Sequence, residues 1–154
     1  MRVVICSGYF DPIGAHHIKL FKSAKELFTD TYLIVGINSD AACSRKKGQP
    51  PFMSWNDKYE IVNSIRFVNK VMAFDDADGS ACDLLRIVSN DYPNDEIIFA
   101  NGGDRSPDNI PIPEEGWAKI HLPNIKFLYG IGGWKTGSSS DLLRKWTLNT
   151  NRLN

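Results

Sequence analysis

The chain has 154 residues, 42% hydrophobic, 23% charged and 11% aromatic, an ordinary globular composition that excludes a disordered or collagen-like protein. Lysine plus arginine equals aspartate plus glutamate, 18 each. That balance excludes a bulk nucleic-acid footprint and leaves room for a small anionic ligand held by a few local basic groups.

No apolar run approaches the roughly 18 residues needed to span a bilayer. The opening Met1-Arg2-Val3-Val4-Ile5-Cys6 has no long apolar segment with a small-residue cleavage site, so no signal peptide is expected. Cys6, Cys43 and Cys82 are odd in number and far apart, which fits neither a disulfide framework nor a zinc site. A cytoplasmic protein with no membrane and no nucleic-acid partner is expected.

Arg2 to Cys6 reads as a short buried strand, broken by Ser7-Gly8. After a loop with Pro12 and Gly14, the residues Ile18, Leu20, Phe21, Ala24, Leu27 and Phe28 recur near helical spacing. Thr31 to Asn38 reads as a second buried strand. The polar stretch 39–53, with Arg45, Lys46, Lys47 and Pro50-Pro51, reads as a loop. Ser54 and Asp57 open a helix carrying Tyr59, Ile61, Val62, Ile65 and Val68. Lys70 to Phe74 is a third strand, and Asp78 or Ser80 caps a helix bearing Leu84, Leu85 and Val88. Glu96 to Ala100 is a fourth strand, ended by Gly102-Gly103. Residues 106–113 hold three prolines and read as loop, with a short helix over 114–120. Ile125 to Tyr129 is a fifth strand. Glycines 130, 132 and 133 follow, and Ser138 to Ser140 cap a last helix through Leu142, Leu143 and Trp146. The polar residues 147–154 are expected to form a loose tail.

Alternating strands and helices argue for an α/β domain over 1–154, its parallel sheet covered on both faces. In such a sheet ligands bind beyond the carboxyl ends of the strands, where strand order reverses. Segments 7–17, 38–47, 101–105 and 130–140 all fall there, which predicts one site.

Residues 8–17 read Gly-Tyr-Phe-Asp-Pro-Ile-Gly-Ala-His-His. They resemble the G-x-F-D-x-x-H-x-G-H signature of the cytidylyltransferase-like nucleotidyltransferases. The members most similar are glycerol-3-phosphate cytidylyltransferases and the nucleotidyl domain of ADP-heptose synthases. Asn38-Ser39-Asp40 resembles the family's acidic turn after strand two, and Lys46 and Lys47 its loop lysines. Lys58 stands where many members carry arginine. Asn101-Gly102-Gly103-Asp104-Arg105 resembles the family's G-G-D-R or G-G-D-Y turn, and Lys135-Thr136-Gly137-Ser138-Ser139-Ser140 its final G-I-S-T/S-T/S motif.

The resemblance implies a Rossmann-like three-layer sandwich with five parallel strands in the order 3-2-1-4-5. It implies a homodimer that transfers a nucleoside monophosphate from a triphosphate to a phosphorylated small molecule and releases pyrophosphate. CTP with a small phosphorylated alcohol or phosphosugar is the first expectation. ATP, as in ADP-heptose synthases, is the alternative. Mg²⁺ is expected on the phosphates, with no protein metal site. Catalytic roles are implied for His17, His16, Lys46 and Lys47. Nucleotide binding is implied for Gly8, Tyr9, Phe10, Asp11, Gly14, His17, Gly102, Gly103, Asp104, Arg105, Lys135, Ser138, Ser139 and Ser140. Acceptor binding is implied for Asp11, Asp40, Lys58 and Trp134. Such a transfer needs no covalent nucleophile, only in-line positioning and donors where charge develops. Helix N-termini near residues 15 and 139 suit the phosphates, and Gly8 is read as letting backbone approach the nucleotide.

One departure stands out. Gly14 occupies the position of the family's first histidine, and His16 that of its glycine. On a helix, His16 lies roughly 200° from position 14, so it is not expected to stand in for the missing imidazole. Two readings follow: a locally shifted loop, or a nucleotide-binding protein whose catalysis is impaired. In the last motif Thr136-Gly137 replaces the usual Gly-Ile, Gly133 stands at the upstream arginine position, and Lys135 brings a charge nearby.

Overall fold

Strand β1 (Arg2–Gly8) sets the plan by alternation. Val4 and Cys6 enter one core, and Val3 and Ile5 the other. Strand β2 (Thr31–Ile37) divides likewise, Leu33, Val35 and Ile37 against Ile34. So does β4 (Glu96–Gly102), Ile98 and Ala100 against Ile97 and Phe99. A strand with both faces apolar must be covered twice. The computed structural model describes residues 1–103, 112–133 and 138–153. In it helices α1 (Ala15–Lys25) and α3 (Trp55–Asn63) cover one face through Phe21, Ala24 and Val62. Helices α4 (Cys82–Asp91) and α5 (Pro113–His121) cover the other, with Leu84, Leu85, Val88 and Trp117.

Short β3 (Lys70–Met72) and β5 (Lys126–Ile131) complete a five-stranded, all-parallel sheet in the order β3-β2-β1-β4-β5. This is the expected three-layer, Rossmann-like architecture. The order reverses between β1 and β4. There the two strands part: β1 pairs with β2 as far as Gly8↔Ile37, whereas its pairing with β4 stops at Ile5↔Phe99. The splayed ends Cys6–Gly8 and Ala100–Gly102 form the crevice that ligands of such sheets occupy.

Three local expectations need correction. Residues 39–53 are not all loop: α2 (Asp40–Lys47) is helical. The Ser39 hydroxyl accepts from Ala42 N, and Gly48, at φ +70°, ends the helix in the left-handed region where glycine is the low-cost residue. The polar tail is not loose, because α6 (Ser139–Leu153) runs through it. An Arg144–Asp141 pair at 2.6 Å and threonine hydroxyls bonded to the preceding turn belong to that helix. Finally, neither Asp78 nor Ser80 is the N-cap of α4, which is Ala81. Ser80 Oγ still accepts from Cys82 N, and Asp78 Oδ1 accepts from Ser80 N and Oγ.

No helix among the described residues is long and apolar enough to cross a membrane. All three cysteines are buried free thiols, and burial pushes Cys6 up to about 12.

Candidate active site

The crevice is a cavity of about 650 Å³ at the carboxyl end of the sheet, within the range of small-molecule sites. Its walls include Gly8, Tyr9, Phe10, Asp11, His16, His17, Lys46, Lys47, Gly102, Gly103, Ser138, Ser139 and Ser140, so segments as far apart in sequence as Gly8 and Ser140, predicted as one site, do converge.

The loop between β1 and α1 is held by its own side chains. Phe10 takes a positive φ of 49° and is buried, with its ring edge-on to His17 (5.0 Å) and Phe21 (5.3 Å). That backbone region costs a non-glycine residue about 1–2 kcal/mol, which the packing of the ring offsets. The same ring explains Gly8. A Cβ there would meet Phe10 Cε1 and Cζ at 2.9 Å, so Gly8 makes room for the Phe10 ring, a reason the sequence reading did not contain.

Asp11 is almost fully buried. It accepts from Phe52 N (2.9 Å), Met53 N (2.6 Å) and Lys47 Nζ (3.0 Å), and Lys47 also donates to Asp11 O (2.5 Å). Burial would raise its pKa, but the Met53 amide, the Lys47 ammonium and the Phe52 amide together hold it below the usual carboxylate range. Asp11 thereby ties Lys47 and the 52–53 backbone to the signature loop. Lys46 lies over the Tyr9 ring at 4.2 Å.

Gly14 is the extended N-cap of α1. His17, at the third helical position, reaches back so that its Nδ1 accepts from Gly14 N at 3.0 Å. A neutral imidazole held this way carries its proton on Nε2, a donor. His16 does not project away from residue 14 as a continuous helix requires, because residue 14 lies outside the helix. A Cβ on Gly14 would meet His16 Cε1 and Nδ1 at 3.1 Å, and the His16 and His17 rings lie 3.8 Å apart. The placement drawn from helix geometry, with His16 roughly 200° from position 14, is therefore corrected: Gly14 lies outside the helix and the His16 ring packs beside it.

The α6 N-terminus closes the site. Ser138 Oγ caps Asp141 N at 3.0 Å, and Ser139 Oγ donates to Pro12 O at 2.6 Å, clasping the last helix to the signature loop.

Other expected residues sit elsewhere. Lys58 is fully buried off the cavity, with Nζ donating to Tyr9 O (3.0 Å) and near Cys43 Sγ (3.5 Å). It supports the loop from behind. Asp40 is exposed in the first turn of α2, away from the cavity. The acidic group at that junction is instead buried Asp76, which accepts from Asn38 Nδ2, Ser39 N and Ser39 Oγ at 2.7–2.9 Å. Burial raises its pKa, but the Ser39 and Asn38 donors outweigh that and lower it. Asp104, Arg105, Trp134 and Lys135 lie outside the described residues. Sequence reasoning did not single out Lys19, Gln49, Ala81 or Glu114, which also line the cavity, and read Ser80 only as a helix cap. No motif flags them; only the topology brings them there.

Among the described residues no three His, Cys, Asp or Glu side chains gather to hold a metal. Asp11 is already engaged by three donors. Among the described residues the donor set therefore does not fit a protein-held Mg²⁺.

"Bifunctional protein HldE" of Proteus mirabilis is 30% identical over 118 residues, 76% of this chain and 23% of that protein. The same-named protein of a Nitratiruptor species is 35% identical over 104 residues, 67% of this chain and 20% of that protein. The chain thus spans about a fifth of the length of these relatives. Among solved structures, the lipopolysaccharide core biosynthesis protein from Thermoplasma volcanium has a TM-score of 0.63 at 21% identity, covering 87% of this chain and 98% of that one. The Plasmodium falciparum nicotinic acid mononucleotide adenylyltransferase, complexed with APC, scores 0.55 at 17% identity over 91% and 81%. At these identities the two structures share the fold. The profile described as "Cytidylyltransferase-like" matches residues 5–122, from β1 through the signature loop to the end of α5. Carrying that match, that sheet order and that loop, the chain belongs to the cytidylyltransferase-like family of nucleotidyltransferases.

Proposed function

We propose that the chain transfers a nucleoside monophosphate from a nucleoside triphosphate to a small phosphorylated acceptor, releasing pyrophosphate. CTP with a phosphorylated alcohol or phosphosugar is the first pairing, and ATP the alternative. One observation carries the reading. Two imidazoles, the lysines Lys19, Lys46 and Lys47, and the N-termini of α1 and α6 line one cavity at the strand-order reversal. The chemistry follows from what these groups offer. The α1 and α6 N-termini present amides and positive dipole ends to the triphosphate. His17 offers its Nε2–H, and His16, Lys46 and Lys47 add donors where charge builds on the α-phosphate and leaving pyrophosphate. The acceptor phosphate oxygen attacks, the α–β phosphoanhydride bond breaks, and pyrophosphate leaves with the bond's electron pair. Mg²⁺ carried by the triphosphate would supply charge neutralisation on the phosphates, alongside Lys46 and Lys47. The implied homodimer is part of the reading, and sedimentation of the purified chain checks it.

The closeness of the His16 ring to Gly14 favours an active site over an impaired one. The test is thermal shift with Mg²⁺ and each of CTP, ATP, GTP and UTP, followed by pyrophosphate release with phosphorylated acceptors. A ligand at 100 times its Kd adds about 2.7 kcal/mol, or roughly 5–10 °C in Tm for this size. The shift is expected with one nucleotide and is lost in His17→Ala. No shift with any nucleotide at millimolar concentration defeats the reading.

A further inference from the structure

The cavity draws its walls from both faces of the sheet. His17 and Lys47 come with α1 and α2, while Ser80, Ala81 and Glu114 come with α4 and α5. Glu114 stands in the first turn of α5 and is only 6% exposed. Its Oε1 accepts from Ala81 N at 2.8 Å, capping α4 across the helix pair. Its Oε2 is buried with no hydrogen-bond partner among the described residues.

Capping alone does not explain this residue. A cap needs one acceptor oxygen, which an uncharged side chain supplies. A carboxylate brings a second oxygen and a charge, whose burial is unfavourable without a donor. The other carboxylate of the cavity, Asp11, has its donors in Lys47, Phe52 and Met53. Gly79, Ser80 and Ala81, all small, line the same cavity as Glu114.

We propose that Glu114 selects the acceptor: its Oε2 takes a hydrogen bond from a hydroxyl or ammonium group carried by the phosphorylated molecule. This rests on the nucleotidyl-transfer reading and narrows it. The acceptor's phosphate faces the imidazoles and lysines, and its other end carries a proton donor. A plain alkyl phosphate is discriminated against, because it leaves the buried oxygen unpaired.

Glu114→Gln separates selection from capping. The amide oxygen still accepts from Ala81 N, while an NH₂ replaces Oε2 and opposes the ligand's donor. The experiment is calorimetry of the intact chain with the preferred triphosphate, then of the nucleotide-loaded chain with sn-glycerol 3-phosphate, phosphoethanolamine and propyl phosphate. In the wild type, glycerol 3-phosphate or phosphoethanolamine binds at least tenfold more tightly than propyl phosphate, and which one does so tells hydroxyl from ammonium. In Glu114→Gln that preference disappears, while Tm and nucleotide Kd stay unchanged within error and twofold. Equal binding of all three probes, binding of none at 10 mM, or a preference that survives Glu114→Gln overturns the proposal. So does a variant in which Tm and nucleotide affinity fall together, since Glu114 is then only a cap. Wild type that binds no nucleotide defeats the transfer reading instead; wild type that binds nucleotide but shows no preference among the three probes defeats only this inference.

Discussion

The imidazole of His16 lies against the α-carbon of Gly14, 3.1 Å from where a Cβ on that residue would begin. Residue 14 has no side chain because its neighbour two positions on fills that space. The pair exchanges the two identities of the family signature while keeping an imidazole beside His17, ring to ring at 3.8 Å.

A swap series tests this exchange. His16→Ala is expected to lower pyrophosphate-releasing turnover about 10²-fold, the scale of losing one donor to a developing charge. Gly14→His alone drives a new side chain into the His16 ring and lowers turnover as well. Gly14→His combined with His16→Gly removes the collision and recovers most of the loss. Turnover of His16→Ala equal to the wild type shows that the second imidazole is not used.

The fold was readable because both faces of β1, β2 and β4 are apolar and each strand is followed by helical spacing. Three of the corrections have separate physical causes. Helix α2 carries almost no apolar stripe, so periodicity misses it, although Ser39 and Gly48 mark both its ends. The tail is polar yet helical, since composition speaks to burial and not to backbone conformation. His16 was misplaced by extrapolating helix geometry to Gly14, whose extended conformation puts it outside the helix. Individual long-range contacts were unreadable: nothing local tells that Glu114 reaches Ala81, 33 residues away, or that Asp11 spends its carboxylate on the 52–53 backbone.

Asp11→Ala tests that last connection. It strands a lysine and two backbone amides in a part-buried setting. Hydrogen bonds to a charged group are worth about 1.5–3 kcal/mol, so a loss of about 2–3 kcal/mol is expected, roughly 4–12 °C in Tm. Nucleotide affinity falls too, because Lys47 loses its anchor. A variant with unchanged Tm removes Asp11 from the framework and returns it to the substrate.

Acid stability follows from the same carboxylates. Asp11 and Asp76 both have folded pKa values below the unfolded one, which is about 3.9. Between the two values the unfolded chain binds more protons, so stability rises with pH there and is fully present above about pH 5. The denaturant midpoint is expected to hold from pH 7 to 5 and to fall as pH drops through about 4. Asp76→Asn lowers the midpoint at pH 7 and makes the acid fall shallower. A variant whose acid profile runs parallel to the wild type shows that Asp76 does not carry this dependence.

Gly8→Ala probes how the site is backed. The added methyl meets two atoms of the Phe10 ring at 2.9 Å. That ring has little freedom, since it is buried, sits on a backbone at φ 49° and packs edge-on to His17 and Phe21. Overpacking of this kind costs about 1–3 kcal/mol, or roughly 2–12 °C in Tm. The displaced ring also moves its support away from His17, so nucleotide affinity falls alongside stability. Phe10→Leu in the Gly8→Ala background relieves the collision and raises Tm above that of Gly8→Ala alone. The discriminating comparison is Gly8→Ala against the double variant by thermal unfolding and nucleotide titration. If the double variant is the less stable of the two, the Phe10 ring is not what excludes a side chain at residue 8.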